Sequence, residues 1–202
     1  MSREGRIREK LPAEEAIPIE GQMPNGLPPT TVTITTHDEQ TGKAIVYRPP
    51  EAHGALTRWE QPIGDNSMVF FTPFHTRSVP METDGDLDAH VRLFDDPSRP
   101  PPLAVPDGTI CRLVDFAPGY TTKNHRTLSV DYGIVIEGTV ELVLDSGQVR
   151  TVPRGGIVVQ RGTMHRWRNP SKTDWTRMFF TLVSAQPRVV QGRALEEDLD
   201  AP

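Results

Sequence analysis

An all-β fold, a sandwich or barrel of short strands, is what this 202-residue chain predicts, and three observations predict it. Its 20 prolines and 16 glycines break the text too often for a helical bundle. Beyond Pro106, runs rich in β-branched and aromatic residues recur at short, regular intervals, each bounded by turn chemistry. Within those runs apolar residues alternate: Val140, Leu142 and Leu144 share one face, and Met178, Phe180 and Leu182 another, so both runs can line one enclosed interior.

Residues 1–30, proline-rich and of mixed charge, bury too little to offset their ordering entropy and read as a mobile arm. Residues 31–106 read as an extension packed on the barrel. It opens with a hairpin over 31–47, in which TVTITT and KAIVY flank the turn residues HDEQTG. Between 48 and 106 only Met68-Val69-Phe70-Phe71 stands out as a strand. The core follows over 107–185, with strands expected at 109–116, 131–138, 139–145, 148–152, 156–160, 165–169 and 176–183. Pro118-Gly119, Glu137-Gly138, Asp145-Ser146-Gly147, Pro153-Arg154-Gly155-Gly156, Arg161-Gly162 and Asn169-Pro170 separate them as turns. The acidic tail, 186–202, reads as frayed.

The net charge of −5, with no cluster of basic residues interleaved with aromatics, excludes a nucleic-acid backbone as partner. No apolar run is long enough for a membrane span. The start lacks the apolar segment of a secretory signal, and Cys111, the only cysteine, forbids an intrachain disulfide; a reducing, cytoplasmic setting is expected. Cys111 itself reads as a small buried hydrophobe. A small molecule is the expected partner.

Two histidines interrupt strand-like text where a plain core would carry aliphatics: His125 and His165. With Asp131 they make two imidazoles and a carboxylate, ligand types that hold a divalent metal with open positions, or an acid–base cluster. Residues 125, 127 and 131 share a face if one strand runs through them, and 165 shares a face with Trp167. Trp167 can stack on an aromatic substrate or simply pack in the core. Gln160 and Arg161, beside the turn before His165, are positioned to orient a substrate oxygen. His37, His53, His75 and His90 fall in turn-rich text and are expected at the surface. His37, with Tyr47 and Trp59, can fold over a barrel mouth, and a hairpin crossing between chains would make a homodimer.

The spacing narrows this. Gly119, five residues, His125, one residue, Thr127, three residues, Asp131, six residues, Gly138 is similar to the first signature of the cupin superfamily. Gly162, two residues, His165, three residues, Asn169 resembles the second. The resemblance implies a single double-stranded β-barrel, a jelly-roll, with His125, Asp131 and His165 as site residues and Thr127 beside them. Further likeness, carried by His37-Asp38, Gly42-Lys43-Ala44, CRLVDFAPG, HRTLSVDYGIVIEG and VVQRGTMHRWRN, is to cupin-domain oxidoreductases of fungal polyketide clusters, and covers roughly residues 31–185. It implies a tailoring enzyme of secondary metabolism acting on an aromatic or carbonyl intermediate, as oxidoreductase or by dehydration or isomerisation; the alternative is a non-catalytic barrel that binds a hydrophobic ligand or scaffolds a dimer. Thr127 stands where most metal-binding cupins carry a second histidine, Asp131 where they carry glutamate, and the proline of the second signature is absent. Two readings stay open: a site for iron, manganese, nickel or zinc on His125, Asp131 and His165, or a metal-free pocket.

Overall fold

The computed structural model describes residues 17–18, 24–47, 67–82, 85–92 and 102–201. Near the N-terminus β1 (Ile17–Pro18) pairs with β2 (Thr31–Val32), and β3 (Thr35–His37) pairs with β4 (Ala44–Val46) as the hairpin expected over 31–47. Asp38 closes its turn: the Thr41 amide and hydroxyl donate to Asp38 Oδ1 at 2.8 and 2.6 Å, and the Gly42 amide donates to the Asp38 carbonyl at 2.8 Å. The apolar run at Met68 opens β5 (Met68–Thr76). A short helix, α1 (Asp86–Arg92), follows; it carries Asp86 and Asp88 in its first turn and Arg92 in its last, matched to the helix dipole.

The core strands are β6 (Thr109–Phe116), β7 (Asn124–Arg126), β8 (Ser129–Glu137), β9 (Thr139–Leu144), β10 (Val149–Pro153), β11 (Ile157–Arg161), β12 (His165–Arg168) and β13 (Thr176–Ser184). They form two antiparallel five-stranded sheets, ordered β11-β8-β13-β6-β5 and β10-β9-β12-β7-β16, where β16 is Asp198–Ala201. Together they make the double-stranded β-barrel, or jelly-roll. Alternation turns Ile110, Val114, Phe116, Val135, Met178, Phe180 and Leu182 of one sheet toward Val140, Leu142, Val152 and Trp167 of the other, and these form one core.

Two turn residues hold this geometry. Gly138 joins β8 to β9 at φ 79°, and a Cβ there would lie 2.6 Å from Thr176 Oγ1, so both the backbone and the space demand glycine. Asn169, fully buried after β12, donates from Nδ2 to the carbonyls of Phe116 (3.1 Å), Ala117 (3.1 Å) and Asp174 (2.8 Å), clamping the end of β12 to the end of β6.

Several expectations are corrected. The tail is not frayed: β14 (Arg188–Val190) pairs with β15 (Arg193–Leu195), and β16 adds a strand to the barrel beside β7. Residues 24–30, expected in a mobile arm, lie over the outer face of the first sheet. There Asn25 Nδ2 donates to Asp115 Oδ2 (2.7 Å), while Arg177 Nη1 donates to the Pro28 carbonyl (2.6 Å) and to Thr30 Oγ1 (2.9 Å). Beneath them Arg177 and Asp115 form a buried two-pronged ion pair at 2.6 and 2.7 Å. Val32 packs beside them on Val69, Phe71 and Leu113.

His75 and His90, expected at the surface, are buried against each other, Nδ1 to Nδ1 3.1 Å, where α1 meets β5. The cause is a bulge between Phe71 and Phe74, which reverses the strand's parity and turns His75 into the row of Ile110. Cys111 is half-buried and faces Thr181, its sulfur 3.8 Å from Oγ1, and burial pushes its thiol pKa up. His53 and Trp59 lie outside the described residues.

Candidate functional site

Between the two sheets lies a cavity of about 410 Å³. Its walls are mostly apolar, from Met68, Phe70, Val114, Phe116, Trp167, Phe180 and Leu182, with Leu199 of β16 contributing at the edge. His125, Thr127, Asp131 and His165 all line it, as does Arg112. They come from both sheets: His125 on β7 and His165 on β12 belong to one, Asp131 on β8 to the other. A single strand through 125, 127 and 131 is therefore corrected, since the chain leaves the sheet of β7 at Thr127 and enters the sheet of β8 at Ser129. The four residues still share a cavity because the two sheets face each other.

The imidazole pair is built by strand register. His125 and His165 are opposite partners on β7 and β12, and their ring centroids lie 4.3 Å apart. Each ring is held the same way: the Nδ1 of His125 bonds the Lys123 carbonyl and the Nδ1 of His165 the Thr163 carbonyl, both at 2.9 Å. A carbonyl only accepts, so both Nδ1 atoms carry the proton, and in the neutral rings Nε2 is left as the basic nitrogen. Burial lowers the pKa of His125, with the bond to Lys123 opposing. Burial, aided by the neighbouring His125, pulls His165 down to about 4. Near neutrality the site thus holds two uncharged, oriented bases.

Asp131 behaves oppositely. Burial raises its pKa to about 6, against hydrogen bonds from Ser129 and Thr127. The Ser129 hydroxyl donates to Oδ1 in a short bond, Thr127 Oγ1 stands 3.5 Å from Oδ2, and the two hydroxyl oxygens are 2.7 Å apart. Thr127 thus braces a carboxyl where an imidazole was absent. Trp167 meets His165 edge-on at 5.6 Å between centroids and Phe180 at 5.6 Å, so it joins the imidazole pair to the opposite wall.

Other expected residues lie elsewhere. Gln160 is buried and is the register partner of Asp131, but it does not line the cavity; it accepts a hydrogen bond from Thr163 and so braces the turn that holds His165. Arg161 is exposed and away from the lining. His37 is exposed on β3 and Tyr47 half-buried, and neither lines the cavity. Among the lining or bracing residues not foreseen are Ser129, which bonds Asp131, and Arg112, Thr122 and Lys123 on the lining. The signal for Arg112 was present, since period two from Ile110 to Val114 places it on the inner face.

A metal on two histidines and a carboxylate requires all three side chains to converge. Among the described residues no three histidine, cysteine, aspartate or glutamate side chains lie close enough to hold an ion. The carboxyl of Asp131 is turned to Ser129 and Thr127. The expected three-ligand set does not fit, and what converges is the imidazole pair. In an apolar cavity such a pair can take a proton from carbon or oxygen and return one elsewhere.

The cupin-domain family profile matches residues 112–181. Oryzines biosynthesis cluster protein J of Aspergillus oryzae is 37% identical over 166 residues, which span 82% of this chain and 89% of that protein. Phomopsin biosynthesis cluster protein C' of Diaporthe leptostromiformis is 38% identical over 80% of this chain and 82% of its own length. The cupin-domain-containing oxidoreductase virC of Hypocrea virens is 36% identical over 82% of this chain and 81% of its own length. With two facing sheets, both signature histidines on one cavity and relatives matched along most of their length, the chain belongs to the cupin family, alongside cupin-domain proteins of fungal biosynthesis clusters.

Proposed function

We propose that the protein is a small-molecule tailoring enzyme of secondary metabolism, in which His125 and His165 move protons on an aromatic or carbonyl intermediate held between the sheets. The observation that carries this reading is the matched pair: two neutral imidazoles, 4.3 Å apart, each with Nδ1 anchored on a backbone carbonyl. The Nε2 of one ring removes a proton from a carbon beside a carbonyl, or from a phenol. The imidazolium so formed returns that proton from Nε2 to the oxygen that gains charge or to a different carbon, which restores the ring, and the partner, its own Nε2 bare, can relay the proton between the two positions. If the oxygen leaves as water, the result is dehydration; if the proton returns to a different carbon, it is isomerisation. An oxidoreductase reaction of the kind named for several relatives also requires a proton to leave carbon or oxygen, and that step falls to the same pair.

The test is incubation with intermediates from the neighbouring biosynthetic genes, products followed by mass, with and without chelator. Turnover is expected to persist with chelator and to fall roughly 100-fold or more in His125→Ala and His165→Ala, with circular dichroism unchanged. Full product formation by both variants overturns the reading. Binding without turnover in the unmodified protein supports a ligand-holding barrel instead.

A further inference from the structure

The outer faces of the two sheets differ in kind. On the sheet of β10, β9, β12 and β7 the outer face carries Glu141, Thr151, Arg166 and Arg168, with Arg168 paired to Glu141, as suits a surface in water. On the other sheet β8 reads SVDYGIVIE and β11 IVVQR, apolar at successive positions, which is the pattern of strands covered on both sides. Alternation sends Asp131 and Val135 inward, so Tyr132, Ile134 and Ile136 face outward, beside Ile157 and Val159 of β11 and Phe179 of β13. Residues 24–32 cover this outer face toward β5 and β6. Toward β11, Ile157 is 68% exposed, Val159 51% and Tyr132 48%. β11 is also the edge of its sheet, and neither proline, lysine nor a bulge guards it.

These six side chains leave roughly 500 Å² of apolar surface open, close to the apolar share of a standard interface, in which each partner buries about 800 Å². Charges stand only at the margins: Arg161 at one end of β11, and at the other the Arg154–Glu137 pair at 3.5 Å. An apolar centre within a polar rim is the anatomy of a protein interface, and an exposed tyrosine at its centre is a typical anchor. A flat surface without charge is matched by another of the same kind, and every copy of the chain carries one. We infer that the outer face of β8 and β11 is a homodimer interface, on which two copies pack face to face about a two-fold axis. It is distinct from exchange of the 31–47 hairpin between chains, and it uses no residue of the cavity.

The test is sedimentation of the full chain across a micromolar concentration series. Twice the mass of one chain is expected, and the double variant Ile157→Glu/Val159→Glu is expected to weaken association roughly 100-fold or more, as is Tyr132→Glu, with circular dichroism unchanged. Two controls place the same charge on exposed apolar side chains elsewhere and are expected to leave the dimer intact: Val149→Glu on the other sheet and Ile45→Glu on the hairpin. A monomer in the unmodified protein overturns the inference, as does a dimer that survives the double variant. Loss of the dimer in Ile45→Glu alone also overturns it and assigns association to the hairpin. Hydrogen exchange in the unmodified chain makes the same test where a variant fails to fold. The amides of β11 are expected to exchange more slowly in the dimer than after dilution, with those of β10, the edge of the other sheet, unchanged. Equal rates in β11 at both concentrations overturn the inference.

Discussion

At the scale of single residues, the site sorts its ionisable groups by what surrounds them. The same burial that keeps His165 neutral down to about 4 keeps Asp131 protonated up to about 6. A carboxylate across the cavity favours the imidazolium that forms during proton abstraction, so ionised Asp131 aids the reaction. The expected kcat/KM profile therefore rises with pH through about 6 and then levels, because the bases are already neutral there. Asp131→Asn removes the limb near 6 and lowers the plateau, while a second limb near 4 persists. A limb near 6 that survives Asp131→Asn would assign it to another group. Sequence spacing was enough to expect His125, Asp131 and His165 around one cavity, and there they lie. It could not show that Ser129 bonds Asp131, because a serine between turn and strand is unremarkable without the sheet that buries it.

Whole strands were legible where alternation and turn residues agreed, as in β6 and β8 to β13. The runs around Val140 and Met178 carry an apolar residue at every second position, at 140, 142 and 144 and at 178, 180 and 182. Short or irregular elements escaped. β7 has only three residues, too few to show a period. In the tail, the turn at Gln191-Gly192, with φ of 50° and 77°, joins strands of only three residues each, too short to show a period. The bulge in β5 concealed the burial of His75 by reversing its face. The N-terminal cover was invisible for a different reason: residues 24–30 are held by Asp115 and Arg177 across the sheet, and a long-range ion pair leaves no local pattern. Removing one partner strands the other charge in a dry site. Arg177→Met is expected to cost about 3–5 kcal/mol in urea unfolding. A loss below about 1 kcal/mol would show that the pair is not a principal tether.

For the molecule as a whole, its buried histidines set a response to acid. His75 is held at about 4, His90 at about 3 and His165 at about 4, and His125 is lowered as well, all chiefly by burial. Each ionises in the unfolded chain near 6.5, so between 6.5 and about 4 the unfolded state binds more protons and stability is lost as pH falls. Asp131 works the other way: raised from 3.8 to about 6, it makes the folded state take up the proton first and favours folding on acidification. Four groups oppose one. Tm is expected to be lower at pH 5 than at pH 7 by about 5 °C or more, measured by calorimetry. His90→Phe should flatten that slope, and an unchanged slope would place the acid response in other groups.

The division of labour between the walls has a bearing on how such a cavity diversifies. The imidazoles keep their spacing through hydrogen-bonded neighbours within one sheet, whereas Phe70, Val114 and Phe180, which shape the cavity facing them, are borne by the other. Exchange of Phe70, Val114 or Phe180 can therefore reshape the accepted molecule while the reacting nitrogens stay in place. A lineage built on this plan can change its clientele by repainting one wall, with its chemistry inherited intact on the other.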